Sequence, residues 1–386
     1  LYKLVATFSK ALDLSDLRIL NHSERVAYIV LKLAATLGLT EAEKGDAVLA
    51  ALVHDIGISS THWRVESHSL RPPKALISEH CIAGGQLLRK VKALAHLADI
   101  VICHHDLWDE TARTPVASRL IHLADRIEVQ INPDRYILGQ VDSVKEQIKQ
   151  LSSDFWPTAY EAFAEISHSE SFWLDLSTGH YQEELADFIG KADAGAEQPD
   201  LQEIAGLFAT VIDRKSPFTS RHSHGVAETA RWLATAAGLN PEQVKDMQIA
   251  GLLHDLGKLA VPDLILEFPG RLSPEQMLVI KQHTYHTYHL LDVLSDHPHI
   301  KEWAAFHHER LNGTGYPFRL DASQLSLGAR IMAVADIFQA LHEDRPYRKG
   351  LSLSEITPIM TKMADNNEID PDLTDLLLSS YPGDKQ

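Results

Sequence analysis

Twenty-two histidines in 386 residues are the first sign of chemistry, because imidazole in ordered spacing serves metal binding or proton transfer. Two of them begin a His-Asp pair, His54-Asp55 and His254-Asp255, and each pair closes an apolar run, Leu49-Ala-Ala-Leu-Val-His54 and Ile249-Ala-Gly-Leu-Leu-His254. Doublets follow at His104-His105 and His307-His308. Adjacent residues on a helix project about 100° apart. A His-Asp pair can therefore serve two neighbouring ions, with the carboxylate bridging them. Asp336 stands in the helical apolar stripe Ile331, Val334, Ala335, Phe338, Leu341, and Asp125 in the stripe Leu120, Leu123, Ala124, Ile127. A carboxylate in such a stripe is costly to desolvate unless it is paired or bound to a metal.

These residues recur in order. A shift of 200 residues lays Phe8, Asp13, His22, Val26, Ala27, Gly38, Leu39, His54, Asp55 and Gly57 on identical residues without a gap. A three-residue insertion then puts His80 on His283 and His104-His105 on His307-His308, and eight more residues bring Asp125 onto Asp336. A duplicated domain is the economical explanation. The sets are His22, His54, Asp55, His80, His104, His105 and Asp125 in residues 1–195, and His222, His254, Asp255, His283, His307, His308 and Asp336 in residues 196–386. The second set exceeds the needs of one catalytic ion, so two close ions are expected there. Imidazole and carboxylate without thiolate suit iron, manganese, zinc or nickel. Among the other histidines, His122, His224, His286 and His289 have no counterpart in the opposite half and are read as spectators.

The elements that must carry these side chains read as helices. Each His-Asp pair ends an apolar helix, and the glycine two residues on (Gly57, Gly257) suits a left-handed helix cap. Pro262 then stops any continuation. The doublet His307-His308 falls near the end of an expected helix over 302–309. Alternating β-branched patterns are scarce, so an all-α bundle is predicted for each half. The stretch from Lys191 to Asp200 is polar and small, with Gly195 and Pro199, and reads as the joint.

The formal charge of -17 argues against a general nucleic-acid binder, which needs a net basic surface. An anionic substrate would need a local positive pocket. No run of apolar residues is long enough for a membrane span, and no signal peptide is evident. The first residue is Leu1 rather than Met, which suggests trimming upstream. Two cysteines in so long a chain form no disulfide framework and fit a reducing cytoplasm. Cys81 and Cys103 each adjoin a histidine, but a lone cysteine defaults to a small buried hydrophobe.

His254-Asp-Leu-Gly-Lys258 and Val261-Pro-Asp263 resemble the signature of the HD superfamily of metal-dependent phosphohydrolases. His307-His-Glu-Arg310-Leu-Asn-Gly-Thr-Gly-Tyr-Pro317 is similar to the long motif of the HD-GYP cyclic-dinucleotide phosphodiesterases, as are Leu327 to Asp336 and Arg345-Pro-Tyr-Arg348. The resemblance implies two tandem HD-superfamily helical bundles and makes the seven C-terminal residues metal ligands. Two divalent transition metals are implied, iron or manganese first, with nickel, zinc and magnesium as alternatives. Asp255 and Lys258 would be catalytic, with Lys258 on the scissile phosphate. Arg310, Gly313, Tyr316, Arg345 and Arg348 would hold or shape the site for the nucleotide. Asn312 stands where the family usually has Asp, and Phe218 where some members carry a Glu for a third metal.

The first half resembles an HD domain without the Gly-Tyr-Pro loop, and Ile58 replaces the lysine. Its ligand set looks complete, so a metal there is expected, in a regulatory domain or in a second phosphohydrolase acting on a smaller product. The implied activity is hydrolysis of a cyclic dinucleotide, 3′,3′-cGAMP or cyclic di-GMP, to a linear 5′-phosphodinucleotide. The tandem layout leans slightly toward the mixed nucleotide. Two rivals remain: a non-catalytic cyclic-dinucleotide receptor, and a nucleotidase acting on dNTPs or guanosine tetraphosphate. No long nucleic acid is expected as partner, and a homodimer is left open.

Overall fold

The computed structural model describes residues 1–14, 20–58, 74–195, 199–215, 222–268, 270, 272–344 and 349–381, with the side chains of 74–77 outside the description. The chain divides into two compact units, Leu1–Pro199 and Asp200–Gln386. Regular structure in both is helical, and the one β-bridge among the described residues joins Asn312 to Asp321. The first part of the expected joint is helical: the helix Tyr181–Gly195 runs through Lys191 before the second unit begins. Alanines at 192 and 194 leave nothing to oppose that extension.

In the first unit the helices Tyr2–Asp13, His22–Thr36, Glu41–Leu52 and Val116–Glu128 pack around a core that includes Phe8, Val26, Ile29, Leu49 and Leu123. The second unit repeats the arrangement with Leu201–Lys215, His222–Ala236, Pro241–Leu253 and Leu327–His342 around Phe208, Val226, Leu253 and Val334. Matching local devices set the ends of these helices. Gly38 and Gly238 take φ of 68° and 84°. Beyond them, Leu39 and Leu239 return a backbone N–H to the carbonyls of Ala34 and Ala234, which closes each helix with a left-handed cap. The next helix starts with a capping box in both units, Thr40 with Glu43 and Asn240 with Gln243. Such caps contribute about 1 kcal/mol each.

The repeated aspartates Asp13 and Asp213 have a structural role. Buried at the end of one helix, each accepts hydrogen bonds from the backbone N–H and hydroxyl of Ser23 or Ser223. The serine is the second residue of the following helix, so this contact places His22 and His222 at its first turn.

Gly57 and Gly257 are not left-handed caps, since neither has a positive φ. A Cβ at Gly257 would run into the carbonyl of His283, and one at Gly57 into the carbonyl of His80. Close approach of two ligand-bearing segments is what requires glycine there. Gly257 N–H donates to Thr287 Oγ1 at 2.9 Å, and that hydroxyl donates to the His254 carbonyl at 3.1 Å. His307 and His308 lie in the turn just past the helix Pro298–Ala305 and not inside a helix. Gly257→Ala should lower the stability of the C-terminal unit by about 3 kcal/mol. Gly206→Ala, at a helical site with open space around it, should raise it by about 0.5–1 kcal/mol. Urea unfolding checks both, and equal effects at the two glycines would contradict the close-approach reading.

Candidate metal centres

In the C-terminal unit, side chains on or just beyond five helices converge on Asp255. Its Oδ2 lies 3.2 Å from His254 Nε2 and 3.9 Å from His222 Nε2, while its Oδ1 lies 3.5 Å from His283 Nε2 and 3.9 Å from His307 Nε2. One carboxylate thus faces two separate groups of imidazoles. Asp336 Oδ1 meets His222 Nε2 at 3.2 Å, and its Oδ2 stands 3.9 Å from His308 Nδ1. Two sets have ligand atoms within 4.8 Å of one another: His222, His254 and Asp255, and His283, His307 and His308. All seven residues expected from the sequence are brought together.

The second nitrogens of these rings are held in place. His254, His283 and His307 each direct Nδ1 at the carbonyl three residues earlier, on Gly251, Ile280 and Ala304, at 2.6–2.7 Å. A donating Nδ1–H leaves the Nε2 lone pair facing the centre, the tautomer a metal ligand needs. His222 Nδ1 instead meets Glu343 at 3.3 Å, a partner the sequence reading missed.

Burial pushes His283 down to about 4 and His308 down to about 3, and holds His307 well below its usual range, so these rings are neutral at pH 7. Burial also opposes charge on His222, but Asp336 and Glu343 outweigh it and push that histidine up to about 9. For Asp255 burial favours the neutral acid, yet His254 and Lys258 win and hold it well below the ordinary carboxylate range. His283, His307, His308 and Asp255 are therefore in ligand-competent form, while His222 carries a proton that an ion must displace. His254 Nε2 and Asp255 Oδ1 are buried without a hydrogen bond, an expensive state for polar atoms. Divalent ions would satisfy both, so the donor set fits the group the resemblance implies.

The centre opens on one side. His254, His283 and His307 are sealed, whereas the side chains of His308 and Lys258 are 26% and 22% exposed. Lys258 Nζ sits 2.5 Å from Asp255 Oδ2. Tyr316 stands beside the opening, its ring centroid 4.9 Å from that of His308. Glu309 organises the loop that carries it: the buried carboxylate accepts the N–H groups of Phe318 and Leu320 at 2.7 and 3.0 Å. Gly313 takes φ 73°, and a Cβ at Gly315 would strike the backbone of Glu309. Asn312 Oδ1 accepts from Thr314, as an aspartate could, while its amide nitrogen reaches the Asn366 carbonyl at 3.2 Å. Arg310, with Nη1 buried and not hydrogen-bonded, acts electrostatically on Tyr316. Arg345, Arg348 and Phe218 lie outside the described residues.

The N-terminal unit assembles its own seven. Asp55 Oδ1 lies 3.6 Å from His54 Nε2, 3.5 Å from His80 Nε2 and 4.0 Å from His104 Nε2. Asp125 faces His22 and His105 at 3.6 and 3.9 Å. Its surroundings differ from those of the other half. Glu128 holds His22 Nδ1 at 2.6 Å and pairs with Arg25. Arg126 lies on Asp125. Cys81, discounted in the sequence, belongs to the cluster with His80, His104 and His105. His122, read as a spectator, is buried with its ring 6.0 Å from His105. Where the other half has its Gly-Tyr-Pro loop, Trp108 stacks on Arg119, whose guanidinium carbon is 4.6 Å from the ring centroid. The side chains of His105 and Asp125 are 5% and 3% exposed, so this centre is the more enclosed.

Comparison with known proteins accounts for both halves. Residues 19–130 and 206–373 each match an HD domain family. Over 96% of this chain and 89% of the relative, the sequence is 32% identical to the 3′3′-cGAMP-specific phosphodiesterase 1 of Vibrio cholerae. The 3′3′-cGAMP-specific phosphodiesterase 3 of the same organism is 27% identical over 77% of this chain and 65% of its own length. A cyclic di-GMP phosphodiesterase of Pseudomonas aeruginosa is 39% identical over 40% of this chain and 37% of its own. The crystal structure of a Vibrio cholerae cyclic GMP-AMP-specific phosphodiesterase has the same fold, with a TM-score of 0.67 at 23% identity over 98% and 97% of the two chains. The chain belongs to the HD superfamily, in the tandem two-domain branch that includes the Vibrio cholerae 3′3′-cGAMP-specific phosphodiesterases.

Proposed function

We propose that the C-terminal half is a two-metal phosphodiesterase that hydrolyses one 3′–5′ linkage of a cyclic dinucleotide, leaving a linear dinucleotide with a 5′-phosphate. The observation that carries this reading is the division of Asp255, one oxygen toward His222 and His254, the other toward His283 and His307, with Lys258 at the open face. Iron or manganese suits an all-nitrogen and oxygen donor set. The mixed nucleotide 3′,3′-cGAMP is the preferred substrate. The cGAMP-specific relative aligns over nearly the whole tandem chain, and the Pseudomonas cyclic di-GMP enzyme over less than half of it.

When bound, the ions supply Lewis acidity and a water acidified toward neutral pH. The residues of the chain do the remaining work. His254, His283 and His307 present their Nε2 lone pairs without reorientation, because carbonyls fix the opposite nitrogens. Asp255 sets the spacing of the two groups. Lys258 carries a positive charge to the exposed side, where it stabilises negative charge growing on a phosphoryl oxygen. Tyr316 offers a ring face beside His308 for a base or ribose. Hydrolysis adds a hydroxyl to phosphorus and a proton to the departing ribose 3′-oxygen. The two free cysteines of the chain are consistent with a cytoplasmic enzyme.

A receptor without turnover has no use for a lysine paired with Asp255 at the open face of the centre, and a dNTP nucleotidase has no use for the Gly-Tyr-Pro loop. Anaerobically purified protein loaded with iron or manganese should convert cyclic dinucleotides to linear products on chromatography, and a His254→Ala, Asp255→Ala double variant should not. Binding without products would establish the receptor instead, and turnover of dNTPs alone the nucleotidase. Lys258→Ala should lower kcat by about 100- to 1,000-fold with metal content unchanged. Equal loss of metal in that variant would remove the assigned role. Glu343→Ala should weaken metal affinity by about 10- to 100-fold, read by titration of the metal-free protein, because His222 loses the carboxylate that orients it.

A further inference from the structure

Both cysteines of the chain lie in the N-terminal half, and only one is placed among histidines. Cys81 is buried, and its Sγ lies 3.6 Å from His80 Nε2 and 3.6 Å from His104 Nδ1. His80 Nε2 and His104 Nε2 are 3.3 Å apart. A tetrahedral ion with bonds of about 2.05 Å to nitrogen and 2.3 Å to sulfur has edges of about 3.3 Å between nitrogens and 3.6 Å between nitrogen and sulfur. The His80–His104 and His80–Cys81 separations match those edges. His104 Nδ1 is tied to the Val101 carbonyl at 2.6 Å, which turns Nε2 inward. Burial holds His104 and His105 neutral, far below their usual range.

The duplicated half supplies the contrast. Thr284 occupies the position of Cys81, and its hydroxyl donates to the Lys281 carbonyl at 3.1 Å, taking no part in the centre. The set His80, Cys81, His104 and His105 has ligand atoms within 4.8 Å of one another. It is the only one of the four sets among the described residues that contains sulfur.

We propose that the N-terminal half holds a thiolate-ligated ion of the zinc type on His80, Cys81, His104 and His105, so that the two halves carry metals of different preference. Thiolate with imidazole selects zinc over iron(II) or manganese(II). Binding breaks the Cys81 S–H bond, releases that proton to solvent and forms a metal–sulfur bond, with no change of oxidation state. The N-terminal site is thereby a separate assignment from the C-terminal reaction, and either can fail alone.

Cobalt(II) reports the sulfur directly. The full-length protein, stripped and reloaded with cobalt, should show a sulfur-to-cobalt charge-transfer band in the near ultraviolet. Cys81→Ser should abolish it, whereas Cys103→Ser and the His254→Ala, Asp255→Ala variant should keep it. Zinc analysis should show Cys81→Ser losing one equivalent while circular dichroism reports an intact fold. If that variant unfolds, X-ray absorption at the zinc edge of the unmutated protein decides. A sulfur neighbour at about 2.3 Å supports the assignment, and nitrogen and oxygen neighbours alone overturn it. No charge-transfer band in the unmutated protein, or one that persists in Cys81→Ser, overturns it equally.

Discussion

A carboxylate buried at the end of an apolar helix governs each half of this chain. Asp255 is 2% exposed and Asp55 4%, and an ion in that setting survives only where surrounding charge and hydrogen bonds offset its desolvation. The segments that reach it are placed to do so. The Asp213–Ser223 contact sets His222, the capping box at Asn240 starts the helix that ends in His254, and Gly257 lets the His283 segment come close. Remove the carboxylate and His283 and His307 would lose the oxygen they share, leaving Asp336 to face His222 and His308. The apolar core supplies the rigidity, but the charge decides which side chains must meet.

Much of this is legible in the sequence because ligand chemistry leaves a register. Seven residues recurring in order in both halves identify the clusters, and the structure gathers each set. The helical class follows from spacing of the apolar residues. The glycines after His-Asp are required, as the sequence suggests, but for a different reason: contact with the His80 or His283 carbonyl is a long-range fact, and no local pattern announces it. Two of the glycines that do adopt a left-handed conformation, Gly38 and Gly238, are visible in the sequence only as matches in the repeat.

Partners behind the ligands are harder to read, since they need not occupy equivalent positions. His22 is held by Glu128, one turn beyond Asp125 on the same helix. His222 is held by Glu343, two turns beyond Asp336 and past the end of its helix. The position equivalent to Glu128 is Gln339. A carboxylate acting on Nδ1 is thus reached from two different places in sequence, and a register comparison cannot find it. Cys81 escapes notice for a related reason, because its significance lies in His104 across the bundle and not in adjacent His80 alone.

The cations show how the halves diverged under the same constraint. In the C-terminal half Lys258 pairs with Asp255, and the residue after Asp336 is Ile337. In the N-terminal half Ile58 replaces the lysine, and Arg126, directly after Asp125, pairs with that aspartate. Each centre therefore keeps two aspartates with a strong cation on one of them, lysine and isoleucine being exchanged for isoleucine and arginine. The cation paired with a ligand aspartate thus moves from one carboxylate to the other. Its accessibility changes with it: the Lys258 side chain is 22% exposed, and that of Arg126 is 4% exposed. A positive charge at the open face can meet an incoming phosphate. One buried against its own aspartate serves the fold first, which is a physical reason for duplicated ligand sets to support different chemistry.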